Sequence, residues 1–324
     1  MGKKVLFINL GGIGDEIMFL PSIISYKDQF PEARVTLALE ARSACITELT
    51  ELIDELIYVE KNKMGMLKLL LKMWFGGFDT VISSGSNKLI SVLLFLSRIK
   101  TRVGYDSGML SQKLLTNSVK LNKNQYAVKM YHDLVTPFTK VRTDVPVFNI
   151  APKEKMANTI LIHPGVSKKS FSQGMIKTIT PDEWAELVAE LAKSGKKILL
   201  TGGKDDAEVI SKIKSKLPSD VYTDVSGKSA TLKDLAELIS AAEVLVCSDS
   251  APLHIAVGMK TKTFVFFGST DYKKLIPDNG LVVPILNDFE CPLRPCLWEH
   301  RQTSCETVDC LKYDLKKVAE QILA

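Results

Sequence analysis

The sequence predicts an α/β protein built from two doubly wound domains with parallel sheets. Three observations carry that expectation. Short apolar runs of strand length alternate with longer segments of helical period along most of the chain, the pattern of parallel strands joined by crossover helices. The alternation pauses once, at the polar stretch "NIAPKEKMAN" (149–158), and then restarts. The length of 324 residues suits two domains of about 150 residues each. Boundaries at 1–150 and 151–324 follow.

In the first half, "KKVLFINLGGIGDEIMFLPSIISYKDQF" reads as a strand, a glycine turn and a helix. "ARVTLALE" is a second strand, and "LIDELIYVE", "FDTVISSG" and "TRVGYD" supply further ones. "NKLISVLLFLSRI" is helical. The second half opens with the strand "TILIHPG". A helix follows in which Thr180 is the N-cap, Pro181 the first helical residue and Glu183 the other half of a capping box. Trp184, Leu187, Val188 and Leu191 form its apolar stripe, and Gly195 ends it. "VYTDVSG", "TLKDLAELISAAE", "VLVCSDS", "APLHIAVGM" and "KTFVFFG" continue the alternation. In such sheets ligands bind beyond the carboxyl ends of the strands. Asp15, Ser167, Asp206 and Asp249 all follow strand-like runs and are expected to face one cleft.

Hydrophobic residues make up 46% and charged residues 24%, as in a soluble globular protein. The longest apolar run, "LISVLLFL" (89–96), is well short of the roughly 20 residues that span a bilayer. "MGKKVLFINLGG" runs straight into a strand with no cleavage site, so a cytoplasmic location is expected. The net charge of +5 is uneven: residues 61–142 hold 14 Lys and Arg against Asp79, Asp106 and Asp133, a balance of +11. That favours an acidic partner (nucleic acid, anionic lipid or a phosphorylated substrate) or is a solvated lysine-rich face. In "KNKMGMLKLLLKMWFGGF" (61–78), Lys61, Lys63, Lys68 and Lys72 accompany Met66, Leu69, Leu70, Met73 and Trp74, which suits peripheral contact with an anionic membrane.

Four stretches carry chemistry. "GGIGDEIMFLP" (11–21) has a glycine turn, but Gly14 leads into Asp15, which would repel a pyrophosphate. Asp15 either presents a carboxylate to a ligand or caps a helix. "HPGVSKKSFSQGMIK" (163–177) combines small residues, hydroxyls such as Ser167, and lysines including Lys168 and Lys177. It suits an anion site or a solvated loop. "TGGKDDAEV" (201–209) places Asp206 where acids grip ribose hydroxyls or start helices. In "SDSAPLHIAVG" (248–258), Asp249 is followed by Ser250, Ala251, Pro252 and Leu253 and then by His254. Small residues ahead of a helix N-terminus suit a diphosphate.

Together these stretches resemble glycosyltransferase family 9, the heptosyltransferases of the lipopolysaccharide inner core. The resemblance runs from Gly14, Asp15 and Pro21 through "HPG", "LTGG", "SDSAPLHIA" and "FFGSTD" to the tail "CETVDCLKYDLKKVAEQIL". It implies a GT-B fold of two Rossmann-like domains facing across a cleft, with the acceptor on the first domain and the nucleotide-sugar donor on the second. It implies an inverting transferase without metal or cofactor, a donor such as ADP-heptose, an acidic lipid-linked oligosaccharide acceptor and no nucleic acid. By resemblance, Asp15 is the general base and Lys177 the lysine that neutralises the donor phosphates. Asp206 matches a ribose-binding glutamate, and Asp249 with the Ser250–Leu253 backbone matches the loop holding diphosphate and sugar, His254 following. The chain departs from the family in Ser250 for Thr, Ala251 for Gly, "SSGSN" (83–87) in an acceptor segment, and a longer stretch before Lys177 that makes Lys168 or Lys169 an alternative.

Cys291, Cys296, Cys305 and Cys310 crowd the tail, with four residues between the members of each pair. A metal, disulfides and packed free thiols are all compatible with that spacing. Competing readings are a family member with another donor or a protein acceptor, a non-catalytic nucleotide-sugar-binding protein, and an NAD-dependent oxidoreductase. The missing glycine fingerprint argues against the last.

Overall fold

The structure, a computed structural model, describes residues 3–172, 174–299, 305 and 307–324. The chain divides into two compact units, one ending at Asn149 and the other beginning at Ile150. In the first unit the strands are β1 (Lys4–Ile8), β2 (Arg34–Leu39), β3 (Glu55–Tyr58), β4 (Thr80–Ser83), β5 (Thr101–Tyr105) and β6 (Asn117–Val119). They form one parallel sheet in the order β3-β2-β1-β4-β5-β6. Its helices are α1 (Ile13–Gln29), α2 (Lys63–Phe75), α3 (Lys88–Leu96), α4 (Met109–Leu114) and α5 (Ala127–His132).

The second unit holds β7 (Met156–His163), β8 (Lys197–Leu200), β9 (Thr223–Asp224), β10 (Ala242–Ser248), β11 (Lys262–Phe266) and β12 (Val282–Ile285). Their order is β12-β11-β10-β7-β8-β9, again all parallel. Its helices are α6 (Lys168–Ser172), α7 (Pro181–Ala192), α8 (Ala207–Lys214), α9 (Leu232–Ala241), α10 (Ala251–Gly258), α11 (Tyr272–Leu275), α12 (Cys296–Glu299) and α13 (Leu315–Leu323).

Both sheets repeat one topology. The first strand is central, the next two extend to one side and the last three to the other. The winding therefore reverses between β1 and β4, and again between β7 and β10. The loops leaving each such pair diverge and open a crevice at the strands' carboxyl ends. The central strands are continuous apolar runs, as burial on both faces requires: Val5, Leu6, Phe7 and Ile8 in β1, and Val244, Leu245, Val246 and Cys247 in β10, are all buried.

Local signals decide several boundaries. Thr180 Oγ1 accepts from Glu183 N at 3.2 Å, and Thr180 N donates to Glu183 Oε2 at 2.7 Å, so the predicted capping box forms. Trp184, Leu187, Val188 and Leu191 are buried, and Gly195 takes φ +75° just beyond α7. Two edge strands escaped the sequence reading. β6 is only Asn-Ser-Val, with no apolar run, and β12 contains Pro284, which an edge strand tolerates. β7 starts at Met156, inside the stretch read as a linker.

The sequence reading of α2 needs correction. Leu69, Leu70 and Met73 are buried against Leu6, Val81 and Leu94, and Met66 is partly buried with them. These residues form the face that meets the sheet, so they are withheld from any external surface. Of the apolar residues read as surface-lying, Trp74 alone is exposed.

Tail residues 300–304 and 306 lie outside the described residues, and with them part of the cysteine-bearing segment. Among the described residues the cysteines are free thiols, and no group of three potential ligands is poised for a metal. Burial pushes the Cys310 thiol up, with Arg294 acting against the shift.

Candidate active site

In the first unit the crevice between β1 and β4 is closed at its base by Ser84 N donating to Ile8 O at 3.0 Å. Ser84 Oγ also donates to Asn9 Oδ1, which sets the 83–87 segment beside the turn after β1. That turn is held from every side. Gly11 N donates to Glu16 Oε1 at 3.3 Å and Gly12 N to Asp15 Oδ2 at 2.8 Å. Gly11 O accepts from Arg42 Nη2 at 3.3 Å and Ser43 Oγ at 3.1 Å. Gly11 cannot be replaced: a Cβ there would lie 2.3 Å from Asp15 Cβ.

Asp15 sits at the third position of α1, half-buried, one residue after the half-buried Gly14. It caps the helix with Oδ2, and Tyr131 Oη donates to Oδ1 at 3.3 Å. Capping and presenting a carboxylate are therefore compatible, because the cap uses one oxygen. Burial, with Asp15 adding to it, holds the Tyr131 phenol well above its usual pKa, so it stays a donor. The next residue, Glu16, is 1% exposed. Burial raises its pKa well above the carboxylate range, and Asp15 and Glu40 push the same way. Arg42 Nε pairs with Glu40 Oε2 at 3.0 Å, and Lys61 Nζ with Glu40 Oε1 at 2.7 Å. None of Glu16, Glu40, Arg42 and Tyr131 was singled out from sequence. Arg42 and Tyr131 lie 27 and 116 residues from Asp15 and carry no local motif.

In the second unit, the loop after β7 is stitched to the neighbouring strand ends on both sides of Lys177. Ile176 O accepts from Ser269 Oγ at 2.9 Å. Thr178 Oγ1 donates to Pro164 O at 3.1 Å and accepts from Ser248 Oγ at 2.7 Å and Trp184 Nε1 at 2.9 Å. Lys177 Nζ is thereby set 3.0 Å from Asp249 Oδ2, an ion pair off the ideal hydrogen-bond direction. Thr178, another residue missed in the sequence, is the fixing point. Thr178→Val should leave Ser248 Oγ and Trp184 Nε1 without their shared partner and lower stability by about 1–3 kcal/mol. A denaturant midpoint measures this, and Thr178→Ser should restore most of it.

Asp249 is buried directly after β10, and Ser250 is the extended N-cap of α10. Leu253 N donates to Ser250 O at 3.1 Å, and Pro252 has no N–H. Ala251 is therefore the residue among the first three of α10 whose amide the helix bonding does not use. Pro252, Leu253 and His254 are buried, so this turn presents mainly backbone. Asp206 lies beyond β8 with Oδ2 accepting from Gly203 N at 2.9 Å and 3.7 Å from His163 Nε2. Burial lowers the His163 pKa against the pull of Asp206, so the ring is neutral. Gly165 makes room for Asp206: a Cβ there would fall 1.9 Å from Asp206 Oδ1. Ser167 is exposed ahead of α6, and Lys168 is 67% exposed and paired with exposed Asp205.

A family model described as glycosyltransferase family 9 (heptosyltransferase) matches residues 66–302, well over half the chain. The chain belongs to glycosyltransferase family 9. Lipooligosaccharide heptosyltransferase 2 of Campylobacter jejuni is 24% identical, with 98% of this chain and 96% of that protein aligned. Among solved structures, Escherichia coli ADP-heptose lipopolysaccharide heptosyltransferase II superposes with a TM-score of 0.70 at 19% identity, covering 99% and 98% of the two chains. E. coli heptosyltransferase WaaC with ADP-2-deoxy-2-fluoro heptose gives 0.67 at 16% identity, covering 87% and 92%. The family 9 chain thus has the GT-B fold class, with two parallel six-stranded sheets.

Proposed function

We propose that this family 9 protein transfers a heptose from an ADP-linked donor to an acidic, lipid-linked inner-core acceptor of lipopolysaccharide, inverting the anomeric centre. The observation that carries the reading is the Lys177–Asp249 pair beside the start of α10, at the winding reversal where doubly wound sheets bind ligands. The first unit binds the acceptor and the second the donor. The acceptor oxygen attacks the anomeric carbon as the bond to the diphosphate oxygen breaks. ADP leaves with that electron pair, and Asp15 takes the hydroxyl proton.

Each step needs a group of the right sign. Asp15 is half-buried and oriented by Tyr131, as a general base must be. Lys177 and the α10 N-terminus supply positive charge to the leaving diphosphate, so no metal or cofactor is required. Asp206 faces the ribose, while Asp249 and the Ser250–Leu253 backbone face the diphosphate and sugar, with His254 behind them. Ser167 and Lys168 border the donor. Arg42, within reach of Gly12, favours an acidic acceptor group near Asp15. The donor assignment is supported by the relative solved with an ADP-heptose analogue.

Thermal stabilisation by nucleotides tests the donor half directly. ADP is expected to raise the melting temperature, by an amount equivalent to about 2.7 kcal/mol at one hundred times its Kd. UDP or GDP stabilising the chain instead would reject the ADP-linked donor. Proton coupling at the anomeric position of the product reads inversion, and loss of activity on chelation would reject the metal-free mechanism.

A further inference from the structure

The first unit presents an apolar face that its own fold leaves open. α2 carries two stripes at helical spacing. Leu69, Leu70 and Met73 enter the core, whereas Met64, Leu67, Leu71, Trp74 and Phe75 point outward. The exposure is large: Met64 57%, Leu67 50% and Phe75 85%. Trp74 Nε1 donates to Leu96 O at 2.7 Å, so the outer stripe runs onto the end of α3, where Phe95 and Leu96 are also exposed.

The helices of this face carry charge of one sign, and exposed Glu60 at the α2 N-terminus accepts from Asn62 Nδ2 at 2.9 Å. α2 and α3 contain no acid. Lys63, Lys68, Lys72, Arg98 and Lys100 are exposed among the apolar residues, and the Arg102 guanidinium sits 5.7 Å from the Phe95 ring centroid. The three acids of residues 61–142 are engaged elsewhere: Asp79 with Lys4 N, Asp106 with Gly108, Ser111 and Gln112, and Asp133 with Gln125 and Arg142.

This combination selects one occupant. A second copy docked face to face would set like charges against one another. A nucleic acid would engage the lysines and leave the aliphatic residues in water. An anionic bilayer takes both, with apolar groups at the acyl boundary and lysine heads among the phosphates. We infer that the outer face of α2, continued by the end of α3, docks on an anionic lipid bilayer with α2 lying in the interface plane.

Vesicle sedimentation of the full chain tests this. Wild type should sediment with phosphatidylglycerol vesicles at low salt, be released at high salt, and bind phosphatidylcholine vesicles far more weakly. Each lysine near such a surface is worth on the order of fivefold in partitioning. Lys68→Glu with Lys72→Glu should therefore weaken binding by tenfold or more. Leu71→Ser with Phe75→Ser should do likewise, and all four positions are exposed, so melting temperatures should hold. Trp74 emission should shift to the blue on wild-type binding. Wild type failing to sediment at low salt, equal binding to both lipids, or full binding by the lysine variant would each overturn the inference. Concentration-dependent self-association that disappears in the Leu71/Phe75 variant, without vesicle binding, would overturn it in favour of a second copy.

Discussion

Asp15→Asn is expected to keep donor affinity and lose about 10²-fold or more in turnover. The substitution is nearly isosteric. Its amide oxygen can still accept from Gly12 N, so the turn after β1 should survive. The charge lost at the α1 N-terminus costs about 0.3–1 kcal/mol of stability, too little to unfold the unit. What disappears is the carboxylate proposed as the proton acceptor. Near-normal turnover in the Asn variant would remove Asp15 from the mechanism. Glu16→Gln is the informative companion. Its amide oxygen can keep accepting from Gly11 N, so this variant leaves the turn and the Asp15 carboxylate in place. Comparable turnover losses in both variants would mean that the turn's geometry, rather than Asp15 as a base, limits the rate.

The contrast between Asp15 and its neighbours also shows what the sequence could carry. Alternating apolar runs and a capping box are local, so α7 and most strands were legible, whereas the edge strands β6 and β12 carry too little apolar pattern to show. Asp15 and Asp249 could be singled out as candidates because each follows a strand end, where a doubly wound sheet collects its ligands, whereas Lys177 lies beyond α6 and its role came from the family resemblance. Thr178, Tyr131 and Arg42 were not. Their significance lies in bonds to residues distant in sequence, such as Thr178 to Ser248 and Tyr131 to Asp15, which no period or spacing encodes. α2 failed for another reason. It is apolar on two faces, and sequence alone cannot say which one the sheet covers. Only the packing of Leu69, Leu70 and Met73 against the first sheet's core leaves Met64, Leu67 and Phe75 as the outer stripe.

Lys177→Ala is expected to have an effect on turnover as large as that of Asp15→Asn, about 10²–10³-fold, by a different route. The lysine is held between two anchored neighbours, so its ammonium is preorganised for the phosphate-neutralising role proposed for it. Its removal has a second consequence. The Asp249 side chain is 4% exposed, and Lys177 is the cation 3.0 Å from it. Breaking a buried pair from one side costs about 3–5 kcal/mol when the remaining charge is left uncompensated. Lys177, at 18% exposed, still touches solvent, so the lower end or less is expected. Loss of activity in the single variant therefore mixes catalysis with stability. Lys177→Met combined with Asp249→Asn separates them. Removing both charges should recover the melting temperature while leaving turnover low, since the α10 N-terminus alone then faces the diphosphate. Asp249→Ala alone should weaken nucleotide-sugar binding. Lys168→Ala is the decisive control, because that side chain is 67% exposed and pairs with exposed Asp205. Its loss should change turnover little. A normal Lys177→Ala enzyme beside an impaired Lys168→Ala enzyme would move the phosphate-neutralising role to the start of α6.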